Sequence, residues 1–111
     1  MICLIVPHDQ EAVKKHDYGK DDPNTMTIVP LEEDKINSLW DIGYFDELNN
    51  KFGLMISTGE DEKITGQEVL KDVLSTTNQY ISDYPDIEYL FILKSLLEMA
   101  LEKETELNIY I

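Results

Sequence analysis

The sequence predicts a single α+β domain over residues 1–111, with three or four helices packed on a small sheet of three or four strands. Three observations lead there. The chain starts and finishes on short apolar, β-branched runs, residues 1–6 and Leu107–Ile111. Between them the apolar residues change to helical spacing. The hydrophobic fraction is 42% of 111 residues, enough for one core without disulfide staples. Strands, then helices, then a strand fit helices stacked on one sheet.

Residues 1–6 read as a fully buried strand closed by Pro7. Residues 7–24 are polar and rich in turn formers, so they read as a loop, with one helical turn at Gln10–Lys15 at most. Thr25–Val29 is β-prone and ends at Pro30, which makes it a second strand beside the first. From Leu31 the period lengthens. Leu31, Ile36, Leu39 and Trp40 share a helical face, and Glu32, Glu33 and Asp34 occupy the first turn, where acids favour the positive end of the helix dipole. Gly43 breaks this helix. Phe45, Leu48 and Phe52 then give a second short helix that ends at Gly53. Leu54–Ile56 fits either a short strand or a continuation of that helix, and Ser57–Lys63 reads as an acidic loop.

Thr65-Gly-Gln-Glu68 has capping-box spacing and is expected to open a helix carrying Val69, Leu70, Val73, Leu74, Tyr80 and Ile81 on one side. Ser82–Pro85 is a turn. Asp86 is expected to cap the longest helix, over residues 87–104, with apolar positions round nearly its whole circumference. That helix is the predicted centre of the core. The last strand is expected to pair with the first. There is no internal repeat, linker or low-complexity segment.

The chain carries 23 acids against 9 basic residues, all lysine, a formal net charge of -14. Phosphate-directed nucleic-acid binding needs a basic face, and an anionic membrane surface would repel such a chain. The N-terminal apolar run has no basic residue before it and is short for a signal peptide, and no run has the length of a membrane span, so the expected compartment is the cytoplasm. The single cysteine, Cys3, sits in an apolar run and is expected to be a buried small hydrophobe.

Chemistry-bearing motifs are missing. His8-Asp9 and His16-Asp17 match no zinc spacing and read as exposed pairs in a polar loop. Neither a nucleophile elbow nor a Gly-rich phosphate loop is present. Gly59-Glu60-Asp61-Glu62 is a contiguous run, whereas a calcium loop needs acids at alternating positions. The expectation is a non-enzymatic domain with no cofactor and no metal.

A charge magnitude of about 2–8 is ample for solubility, so -14 calls for a further role. The acids are spread through both halves: residues 1–56 carry 11 acids and 5 lysines, residues 57–111 carry 12 and 4. The pattern is that of a folded negative surface, which steers association with a basic protein. Trp40, Tyr44, Tyr84 and Tyr89 lie next to acids in sequence, a composition suited to lysine-rich partners.

Phe45-Asp-Glu-Leu-Asn-Asn-Lys-Phe-Gly53, then Ile56, Glu60-Asp-Glu62 and Ile64, resembles a stretch of small acidic bacterial immunity proteins. These protect cells from polymorphic toxins, including those of contact-dependent growth inhibition. The resemblance covers about 20 residues. It implies a protein that binds a cognate toxin, expected to be a nuclease, and occludes its basic active site. The expected contacts are Asp41, Asp46, Glu47, Glu60, Asp61 and Glu62, with Tyr44 as an aromatic anchor. The alternative is a phage-type DNA mimic that inhibits restriction or CRISPR enzymes through the same electrostatics.

Overall fold

A computed structural model describes residues 2–111. Met1, expected at the start of the first strand, lies outside the described residues. In chain order the elements are β1 (Cys3–Pro7), α1 (Gln10–Asp17), β2 (Met26–Pro30), α2 (Glu33–Asp41), α3 (Tyr44–Phe52), β3 (Asp61–Thr65), α4 (Gln67–Asp83), α5 (Glu88–Lys103) and β4 (Glu106–Tyr110). The four strands form one antiparallel sheet in the order β2-β1-β4-β3. The α+β architecture is as expected, and so is the pairing of the first and last strands. Among the described residues the helices number five, one more than the largest number predicted.

Period-two alternation sorts the strands onto two faces. Leu4, Val6, Ile64, Leu107 and Ile109 face the main core, which α2 to α5 cover. α5 is its centre: Leu90, Leu93, Leu96, Leu97 and Ala100 are all buried, and the helix packs on β1, β4, α2 and α4. The other face carries Cys3, Ile5 and Met26, which pack with Ala12 of α1. Glu106, Asn108 and Tyr110 alternate onto this face as well. Burial pushes the Cys3 thiol pKa up, as expected for an inert, packed cysteine.

Pro7 limits the sheet. Its missing N–H would have faced β4, and the β1–β4 pairing stops at Ile5–Asn108. The Thr105 hydroxyl donates to the Pro7 carbonyl at 2.7 Å instead.

Several local expectations are corrected. Residues 10–17 form a full helix, which Asp9 caps by accepting the Ala12 N–H at 2.8 Å. Residues 61–65 are an edge strand, because Ile64 enters the core while the charged side chains flank it. Thr65 pairs with Glu106 inside the sheet, so Gly66, at φ +88°, takes the cap position of α4 with no side-chain cap. Asp86 does not cap α5; Ile87 holds that position. Residues 54–56 are neither strand nor helix.

Candidate functional site

The seven predicted contact residues lie on three consecutive elements. Asp41 ends α2, Tyr44, Asp46 and Glu47 open α3, and Glu60–Glu62 lead into β3. The side chain of Asn49 ties α3 to the segment beyond its C-terminus. Asn49 Nδ2 donates to the Ile56 carbonyl at 3.0 Å, and Asn49 Oδ1 accepts the Ile56 N–H at 2.8 Å. The neighbouring Met55 N–H donates to Glu62 Oε2 at 2.7 Å. Segment 54–56 is thereby pinned between α3 and β3.

The environments of the seven residues differ sharply. Tyr44 is 0% exposed. The Thr77 hydroxyl donates to the Val73 carbonyl at 2.7 Å, so the Tyr44 hydroxyl donates to Thr77 Oγ1 at 2.8 Å. Burial drives the Tyr44 pKa strongly upward. Tyr44 is a core residue and not a surface anchor; α3 turns it and Phe45 inward while Asp46 points out. Glu47 is half-buried and accepts from the Tyr80 hydroxyl at 2.9 Å. Glu62 spends both oxygens on backbone amides, those of Met55 and Lys63. Asp41, Asp46, Glu60 and Asp61 are exposed, and among the described residues none makes a side-chain hydrogen bond or an ion pair. Of the other aromatics, Tyr89 is buried with its hydroxyl accepting the Glu32 N–H, Trp40 packs edge-on to Phe45, and Tyr84 is exposed.

The negative surface is scarcely compensated. Of the 23 acids, those within ion-pair distance of a lysine or histidine among the described residues are Asp17, Asp21, Glu32, Glu88 and Glu106. Acids hold lysines in turn. Glu32 and Glu88 flank Lys35, and Asp17 and Glu106 flank Lys63, which raises both lysine pKa values.

Sequence reasoning missed the sharpest polar constellation. His16 is buried, not exposed, because α1 places it one turn after Ala12 against the sheet. Its Nδ1 meets Asp21 Oδ1 at 2.5 Å, and its Nε2 meets the Tyr110 hydroxyl at 2.7 Å. With Asp21 accepting from Nδ1, the neutral ring accepts from the Tyr110 hydroxyl at Nε2. Burial first, then the Asp61 charge, pushes the Tyr110 pKa up to about 12. Together with the Lys63–Asp17 bond, this chain latches α1 to β3 and β4. The signal in the sequence was the Ala12–His16 spacing, visible once α1 is taken as a helix.

His8 points elsewhere, with Nε2 at 2.8 Å from Thr27 Oγ1. Among the described residues no three His, Cys, Asp or Glu side chains converge in a metal-binding arrangement, and no helix is long and apolar enough to cross a membrane. No protein-family model, curated protein or solved structure matches this chain.

Proposed function

We propose that this chain is an immunity protein that neutralises a cognate bacterial toxin, a nuclease, by covering its basic active site with carboxylates. The observation that carries the reading is the uncompensated acidic surface: Asp41, Asp46, Glu60 and Asp61 are exposed and have no partner among the described residues. Carboxylates with no partner inside the fold are free to stand where substrate phosphates would lie. Glu47, oriented by Tyr80, is a secondary contact. Glu62 and Tyr44 leave the contact set, because their polar groups are used inside the fold.

The test uses the product of the adjacent open reading frame. Expressed alone it should arrest growth, and co-expression of this chain should restore it. Growth arrest that this chain does not relieve contradicts the reading, and so does an adjacent product that is harmless. Inhibition of several unrelated nucleases at similar concentrations would favour the DNA-mimic alternative.

A further inference from the structure

The sheet has two outer edges, and the sequence treats them differently. β3 carries Asp61, Glu62 and Lys63 among five residues, the kind of charged side chains by which edge strands discourage stray pairing. β2, at the opposite edge, reads Met26-Thr-Ile-Val-Pro30 and has no charged side chain, in a chain that is 29% charged.

The register shows which β2 backbone groups face outward. The Leu31 N–H donates to the Ile2 carbonyl and the His8 N–H to the Thr25 carbonyl, both at 2.9 Å. By alternation, the intervening hydrogen-bonded pairs are Leu4–Val29 and Val6–Thr27. At Cys3–Pro30, Ile5–Ile28 and Pro7–Met26 the β2 backbone groups point away from β1. Pro30 stands at one of these outward positions, where its missing N–H costs no ladder bond. Met26 is closed over, at 1% exposed, whereas Ile28 is half-buried. Among the described residues the Ile28 N–H and C=O make no backbone bond outside the sheet. In sequence, acids flank this strand: Asp22 precedes it and Glu33 and Asp34 follow it, with no ion-pair partner among the described residues, whereas Asp21 is held by His16 and Glu32 by Lys35.

We propose that the β2 edge, centred on the outward N–H and C=O of Ile28, is a docking strand for an extended segment of a basic protein, which adds to the sheet as a fifth strand. The segment has an uncharged, β-branched middle opposite Ile28 and lysines or arginines at its ends, to meet the flanking acids. Backbone hydrogen bonds supply the affinity and the flanking charges the selectivity. The sign of the occupant's charge rests on the proposed function above; the mode of docking goes beyond it. A second copy of this chain is disfavoured as occupant, because two surfaces of net charge -14 repel.

The test titrates isotope-labelled chain with the peptide acetyl-Lys-Lys-Val-Thr-Val-Thr-Val-Lys-Lys-amide and with its glutamate-flanked counterpart, following amide exchange residue by residue. In the free chain the Ile28 N–H should exchange faster than those of Thr27 and Val29. The lysine-flanked peptide should slow it, and should bind about tenfold tighter than the glutamate-flanked one at low salt. Ile28→Pro removes the outward donor, spares the ladder bonds of Thr27 and Val29, and should abolish binding. If that variant does not fold, the exchange of Ile28 in the unaltered chain decides the matter. Unchanged Ile28 exchange at millimolar peptide overturns the proposal. Peptide shifts confined to Asp41–Glu47 or Gly59–Asp61 overturn the docking strand and leave the acidic-surface reading standing. Ile28 protection that rises with protein concentration alone assigns the edge to a second copy and also overturns it. Failure of the co-expression test, by contrast, removes the toxin and not the edge.

Discussion

Replacing Tyr110 with Phe isolates the latch that holds α1 on the sheet. The ring remains, so no cavity forms beside Cys3; only the hydroxyl at 2.7 Å from His16 Nε2 is lost. The His16 side chain is 3% exposed, so its ring nitrogen has little access to bulk water once the donor is gone. Leaving a buried acceptor unpaired costs about 1–3 kcal/mol. For a domain near this size that lowers the melting temperature by about 4–8 °C per kcal/mol. His16→Leu removes the acceptor and frees Asp21, which is 42% exposed on its side chain and is resolvated. The double variant should therefore be more stable than the sum of the two single losses implies, with a coupling of about 1 kcal/mol. Urea titration of the four proteins measures this, provided the denaturant slopes agree. A Tyr110→Phe loss below about 0.3 kcal/mol, or strict additivity in the cycle, would refute the latch.

Tyr80 and Tyr110, both pushed up to about 12 from an ordinary 10, make the fold alkali-sensitive. Their contribution is intact below pH 10 and is lost as pH rises from 10 to 12, because the unfolded chain ionises first; urea midpoints at pH 9, 10 and 11 should track that course, and Tyr110→Phe should lessen the slope. Glu104 ends α5 at φ +55°, the left-handed region that glycine occupies without strain, so Glu104→Gly should raise stability by about 0.5–1 kcal/mol in thermal unfolding. Asn108 is 1% exposed, and among the described residues its Nδ2 and Oδ1 have no hydrogen-bond partner, so Asn108→Leu should stabilise the chain by about 1 kcal/mol; a loss would show that the amide is satisfied in solution.

Apolar periodicity made most of the fold legible in the sequence. β1, β2, α2, α3, α5 and β4 each carry an inward row that the period exposes, and all appear near their expected bounds. α1 was legible only as a turn at Gln10–Lys15, because Ala12 and His16 are the side chains it buries, too few to make a stripe. β3 was hidden because a charged edge strand looks like a loop when only Ile64 enters the core. The predicted site failed at Tyr44 for a related reason. Sequence proximity to Asp41, Asp46 and Glu47 says nothing of which helix face a tyrosine takes, and the Tyr44-Phe45 pair faces inward between α2 and α4. The Asp21–His16–Tyr110 chain joins α1, a loop and β4, and its His16 and Tyr110 stand 94 residues apart, so no local pattern announces it.

The proposed function requires that the exposed, unpaired carboxylates recognise a basic partner. Stopped-flow association of this chain with the adjacent-frame product, across a range of salt, tests it most directly. The predicted rate falls steeply as the Debye length shrinks from about 30 Å at 0.01 M to about 10 Å at 0.1 M. At low salt it should also drop about tenfold when Asp41, Asp46, Glu60 and Asp61 are all replaced by Asn or Gln. A rate indifferent to both salt and these substitutions would contradict the claim.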